Sequence, residues 1–150
     1  MKKILFGLLL LMTGSLYSQD QEVKNVVETF FQGFHAKDSI VMKSVCSDQL
    51  ILQSIITNVK GTKLVNENPK TFYNSIVTIP ATTRFQEKIL NFSIQFDGAM
   101  AHVWTPYEFY INDKLSHKGV NAFTMYKENE HWKIIYIIDT RRKYINNRPY

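Results

Sequence analysis

From residue 84 to residue 141 the chain is a succession of apolar, strand-like segments separated by short turns, and this run constrains the fold more than any other feature. Arg84 to Phe96 reads as the first strand, and Asp97-Gly98 as a hairpin turn. Met100 to Ile111 is the second, followed by a turn at Asn112-Asp113. His117 to Lys127 is the third, followed by a turn at Glu128-Asn129-Glu130, and Trp132 to Arg141 is the last. Successive strands joined by tight turns pair as an antiparallel meander.

Helical spacing dominates before that run. Val23, Val26, Val27, Phe30, Phe31 and Phe34 recur three and four apart and build one apolar stripe. Gly33 sits inside the stripe and marks close packing. Asp38 can cap a second, short helix, with Met42, Val45 and Cys46 facing inward. Leu50 to Ile56 reads as a strand, and Val59 to Val65 as a turn-rich connection around Gly61. Asn68-Pro69 opens a third helix that carries Phe72 and Ile76 and stops at Pro80. Helices first and sheet second specify an α+β domain, not a parallel α/β one.

The N-terminus indicates an address. Lys2 and Lys3 precede the apolar run Ile4 to Met12, and Thr13, Gly14, Ser15 and Ser18 follow, the layout of a Sec signal peptide. The run is well short of the roughly 20 residues of a membrane span. The expectation is therefore a signal peptide over 1–18, cut near Ser18/Gln19. One domain over 19–150 would then be periplasmic or secreted, with no membrane association after cleavage. Losing Lys2 and Lys3 takes the formal charge from +5 to +3, an ordinary value. Arg141, Arg142, Lys143 and Arg148 make the C-terminal end basic. A solvated tail accounts for this without nucleic acid. Cys46 is the single cysteine, so no disulfide forms within the chain, and stability must come from the core.

The element order, together with Val103-Trp104-Thr105-Pro106-Tyr107-Glu108-Phe109-Tyr110, Ser116-His117-Lys118-Gly119-Val120 and the ending Trp132-Lys133-Ile134 through Asp139-Thr140-Arg141-Arg142, resembles the nuclear-transport-factor-2-like (NTF2-like, SnoaL-like) superfamily, in its lumazine-binding branch. The resemblance covers essentially the whole of residues 19–150. It implies N-terminal helices packed on a curved antiparallel sheet as a cone, a pocket between them, and homodimers through the sheet. It also implies a choice among steroid isomerases, dehydratases, polyketide cyclases, transport adaptors and proteins with no known activity, so the fold does not select a function. Steroid-isomerase members place a Tyr on the first helix. Here Phe30, Phe31 and Phe34 occupy the inward positions, and a phenyl ring cannot donate to an oxyanion.

Strand alternation groups the polar candidates. His102, Trp104 and Glu108 share one face of the second strand, with Pro106 a point where a bulge would change this. His117, Asn121 and Phe123 share a face of the third strand, and Asp139 and Arg141 a face of the last. Two readings stay open: a pocket with convergent polar groups, or a sheet face turned to solvent or to a second copy. A histidine, His102 or His117, beside Asp139 would form a general base; structural histidines are the plainer alternative. Arg141 with Asp139 would orient a polar ligand, or simply pair at the rim. Phe30, Phe34, Trp104, Tyr107 and Phe123 offer flat walls for a small organic ligand, and equally a plain aromatic core. No HxH or HExxH spacing points to a metal, no motif points to a cofactor, and no G-x-S-x-G elbow is present. The expected function is binding of a small organic molecule without catalysis. The alternatives are a dehydratase, isomerase or cyclase using a His–Asp base, and a structural, partner-binding dimer.

Overall fold

The computed structural model describes residues 2–145 together with 148 and 149, and the side chains of 19–143. The signal-peptide reading of 1–18 and the side chain of Arg148 lie outside the described side chains. No helix among the described residues is long and apolar enough to cross a membrane.

Helix α1 spans Lys2–Ala36 and buries Val23, Val27, Phe30, Phe31 and Phe34 on one face. It ends where Lys37 takes a positive φ of 58°. Asp38 N–H then donates to Gly33 O at 2.8 Å and Lys37 N–H to Phe34 O at 3.1 Å, which satisfies the last carbonyls. Asp38 also caps α2 (Ser39–Ser44), its carboxylate accepting from Ile40 N at 2.8 Å and Val41 N at 3.2 Å. The two helices meet at Gly33, where an added Cβ would stand 2.7 Å from Met42 N and 2.9 Å from Asp38 O. Helix α3 (Pro69–Val77) is capped by Asn68, with Pro at its first position as its sequence requires.

The strands are β1 (Cys46–Asn58), β2 (Gly61–Glu67), β3 (Phe85–Ile89), β4 (Ser93–Asp97), β5 (Met100–Ile111), β6 (Lys114–Glu128) and β7 (His131–Arg142), with a small separate pair, β8 (Tyr144–Ile145) and β9 (Arg148–Pro149). The main sheet runs β2-β1-β7-β6-β5-β3, with β4 also on β5. It is curved and not closed, and the helices pack on its inner face.

Three expectations need correction. Val59 to Val65 is not a loose connection, because Gly61 (φ 115°) turns the chain into β2, which pairs along β1 from Asn58↔Gly61 to Leu52↔Glu67. Cys46 opens β1 and does not close the second helix. Arg84 to Phe96 is two strands. Both lie antiparallel on β5, but their registers differ by one residue, and the break falls beside Pro106, which has no N–H to give the ladder. The meander itself forms as expected, with positive-φ turns at Asn112-Asp113 and Asn129-Glu130. The sheet is mixed, because β1 joins β7 in parallel.

Candidate functional site

Four strands contribute to the inner face level by level. Register aligns Leu52 with Ile137, Ile137 with Phe123, and Phe123 with Val103, an apolar row across β1, β7, β6 and β5. Two residues further along each strand the alignment is Ser54, Asp139, Asn121 and Thr105. Among the described residues these four are the buried polar ones, at 5%, 9%, 5% and 0% exposure. A one-residue shift in β7 between Ile134 and Tyr136 makes this possible. It turns Ile137, Asp139 and Arg141 inward after Trp132 and Ile134.

Asp139 is the hub of the row. It accepts from Ser54 Oγ in a short bond, from Arg141 Nε at 2.7 Å and Nη2 at 3.4 Å, and from the Tyr107 hydroxyl at 3.3 Å. Tyr107 donates at 2.9 Å to Thr140 O, the better acceptor. Burial, then the neighbouring Asp139 and Glu87 charges, push its phenol pKa up, so Tyr107 stays a neutral donor. The ring lies on Gly119, where a Cβ would come within 2.8 Å of it and 1.7 Å from Thr140 O. Only a residue without a side chain fits there.

Glu87, on β3, completes the polar end. Asn121 Nδ2 donates to its Oε1 at 2.6 Å, and its own N–H donates to His35 Nε2 at 2.9 Å. A ring nitrogen that accepts carries no proton, and burial lowers the His35 pKa in the same sense. Burial, reinforced by Asp139, raises the Glu87 carboxyl to about 7, against the help of Asn121 and Arg141. His117 moves the other way, down to about 4, through burial and then the Arg141 charge. Its ring stacks on Phe109 at 4.9 Å. Its hydrogen-bond partner among the described residues is Ser116, at 3.2 Å.

These groups close one end of a partly open cavity of about 240 Å³ between α1, α3 and the sheet. Phe30 and Phe34 of α1 form its opposite wall, each stacked on Phe72 of α3 at 6.4 and 6.3 Å. Phe123 lies edge-on to Phe30 at 6.1 Å.

Of the residues singled out in the sequence, Phe30, Phe34, Tyr107, His117, Asn121, Phe123, Asp139 and Arg141 line this cavity. His102, Trp104 and Glu108 do not. They share a face, as alternation predicts, but the inward set on β5 is Ala101, Val103, Thr105 and Tyr107, so their face is the outer one. Trp104 is 48% exposed there, and Glu108 pairs with Lys118 at 2.5 Å. The proposed His–Asp pair is therefore not assembled by His102. His117 shares the cavity with Asp139 without bonding to it. Asp139 and Arg141 do pair, and the carboxylate is buried. Glu87, Ser54 and Glu67 were missed. A signal for Glu87 existed, since it stands between Phe85 and Ile89 on the apolar parity of its strand. Cys46 is buried and its thiol is pushed up to about 11 by that burial, which makes it unreactive. No cluster of potential metal ligands occurs among the described residues.

No family model and no curated protein matches the sequence. Solved structures do match the fold. An NTF2-like protein of unknown function from Shewanella baltica superposes with a TM-score of 0.63 at 16% identity, over 83% of this chain and 94% of its own. Another, from Pseudomonas putida, gives 0.68 at 8% identity over 89% and 98%. A third, from Streptomyces avermitilis and assigned provisionally as a dehydratase, gives 0.63 at 12% identity over 83% and 96%. At these identities the likeness is one of architecture, and by that architecture the chain has the nuclear-transport-factor-2-like fold.

Proposed function

We propose that this protein binds a small organic molecule in the cavity between α1, α3 and the inner sheet face. One observation carries the reading: among the described residues, three of the four buried polar ones, Ser54, Asn121 and Asp139, are gathered on the wall at one end of a cavity whose other walls are largely aromatic and aliphatic. A core built for stability alone gains nothing from collecting them there, because each buried polar group must be compensated. A site that must orient a ligand needs apolar walls and a few converging polar groups. The volume suits a molecule with one ring, smaller than the usual drug-sized ligand. The lumazine-binding reading does not carry into this proposal, because a pteridine has two fused rings. The sheet-mediated dimer remains a proposal, for which the outer face around Trp104 is the surface to test.

The test is thermal unfolding in the presence of single-ring metabolites. A ligand present at a hundredfold excess over its Kd stabilises the native state by about 2.7 kcal/mol and raises Tm by several degrees. Ser75 is exposed on α3 at the mouth of the cavity, so Ser75→Trp narrows the entrance without disturbing the core. The shift should vanish in that variant. A shift that survives it places the ligand elsewhere and sinks the reading.

A second reading, a proton-transfer enzyme, is favoured by one observation. Glu87 is a carboxyl held near neutrality inside the cavity, the property a general base needs. It takes the place of the His–Asp pair expected from the sequence. Exchange of a C–H for deuterium in a small carbonyl compound, followed by NMR in D2O, would convert the binder into an enzyme if Glu87→Gln abolished it.

A further inference from the structure

The cavity's hydrogen-bonding capacity is already partly used. Asp139 takes Ser54 and Arg141; the Tyr107 proton goes to Thr140 O; the Asn121 amide goes to Glu87 Oε1. Glu87 Oε2 has no donor among the described residues and is not sealed from solvent, and Glu87 lines the cavity. Glu67 lines the same cavity and is a second acid. Arg141 is the lining cation, and Asp139 holds it. His117 is neutral at physiological pH because its pKa is driven down, so it adds no positive charge. The acids Asp139, Glu67 and Glu87 thus face a single guanidinium, and the apolar wall is made of ring faces, Phe30, Phe34, Phe72 and Phe109 among them, with Leu52, Ile76 and Ile137.

Ring faces and carboxylates both attract positive charge. An anion placed here would meet Glu67, Glu87 and Asp139 and gain only the outer edge of Arg141. We propose that the ligand is a small organic cation, its ammonium group set against Glu87 Oε2 and its apolar body against Phe30, Phe34 and Phe109. This rests on the reading of the cavity as a ligand site and names the chemical class it takes.

A proton linkage follows. The groups facing Glu87 are His35 from α1, Glu67 from β2, Tyr107 from β5, Asn121 and His117 from β6, and Asp139 and Arg141 from β7. Of these, His117 is neutral between pH 6 and 8 with its pKa at about 4, and burial shifts His35 toward its neutral form. The titration that sets binding between pH 6 and 8 is therefore that of Glu87, centred at about 7. A cation favours the ionised carboxylate, so binding expels the Glu87 proton and tightens as pH rises.

The probes are benzylamine, benzyl alcohol and benzoate, which share a ring and differ in charge. Calorimetric titration of the full chain at pH 6 and pH 8 should rank them in that order, with benzylamine at least tenfold tighter than benzoate. Benzylamine affinity should rise up to about tenfold between the two pH values, with proton release seen as a dependence on buffer ionisation heat. Glu87→Gln keeps an acceptor for Asn121 and should collapse the amine-to-alcohol ratio toward one. Should that variant fold poorly, the pH dependence of the unaltered protein decides alone. Equal affinities, a preference for benzoate, or benzylamine binding indifferent to pH overturns the cation assignment while the cavity remains a ligand site. Binding of none of the three removes the site itself, and the cation assignment with it.

Discussion

At the level of Leu52, Ile137, Phe123 and Val103 the inner face of the sheet is apolar, and two residues further along the same strands, at Ser54, Asp139, Asn121 and Thr105, it is polar. Strand pairing and burial are shared, so the difference lies in side-chain chemistry. The apolar row packs under α1 and supplies transfer energy, about 1.5–3 kcal/mol for each large side chain. The polar row supplies no such energy, and must be offset bond by bond. Its cost is tolerable because Asp139 serves as common acceptor for Ser54 and Arg141 while Tyr107 donates to Thr140 O, which leaves few donors unsatisfied. The apolar level makes the fold, and the level beside it makes the site.

The largest effect should come from removing the hub. Asp139→Ala leaves Arg141 without its partner and Ser54 without its acceptor. Breaking such a pair usually costs 3–5 kcal/mol, and about 3 kcal/mol is expected here because the Arg141 side chain, 42% exposed, keeps contact with water. Urea unfolding reads this directly. The comparison sharpens with the double variant Asp139→Leu, Arg141→Met, which makes the polar level resemble its neighbour. Apolar replacement of a buried pair is often neutral. Most of the lost stability should return while ligand-induced thermal shifts disappear. A double variant as unstable as the single one would mean that the row is a structural requirement and not a site.

Which parts of this contrast the sequence could disclose depends on the range of the interactions that set them. Helix caps at Asp38 and Asn68, the Gly33 contact and the turns at Asn112-Asp113 and Asn129-Glu130 were legible, because each is decided within a few residues. The shared faces of His117, Asn121 and Phe123, and of Asp139 and Arg141, were legible from alternation. Which face of a strand looks inward was not. On β5 the choice depends on how β5 sits against α1, and His102 and Trp104 fall outside for that reason. The parallel pairing of β1 with β7, which brings Ser54 beside Asp139, joins residues 85 apart in sequence and leaves no local trace. The break between β3 and β4 was hidden in the same way. It needs the missing N–H of Pro106 on a neighbouring strand.

A smaller, pH-dependent effect belongs to Glu87. Its folded pKa of about 7 lies above the ordinary 4.5, so the folded state holds the proton more tightly than the unfolded chain. That contribution is fully present below pH 4.5 and is lost as pH rises through 7. Glu87→Gln should therefore stabilise the protein by about 1–2 kcal/mol at pH 8, allowing for access of solvent through the cavity mouth, and by almost nothing at pH 4. His117 runs oppositely. Its pKa of about 4 lies below the ordinary 6.5, so its contribution is present above 6.5 and is lost as pH falls toward 4. In the unaltered chain the two slopes offset one another between pH 4.5 and 6.5. Urea midpoints of Glu87→Gln should instead climb across this interval, as the His117 slope is left alone. A variant profile parallel to the original would mean that Glu87 does not carry its proton into the folded state.

The smallest expected effect tests whether every member of the polar row belongs to the site. Thr105 Oγ1 is fully buried and has no hydrogen-bond partner among the described residues, and its side chain does not line the cavity. Ser54, Asn121 and Asp139 each have a bonded partner and a place on the cavity wall. Thr105 therefore shares the level of the others without sharing their work. Valine has nearly the same shape and no hydroxyl to desolvate, so Thr105→Val should be neutral or stabilising by up to about 1 kcal/mol, with thermal shifts from ligand unchanged. A loss of more than about 1 kcal/mol would show that the hydroxyl is compensated after all. The polar row would then extend across all four strands as one network, and the boundary between packing and recognition would lie one strand further toward β3.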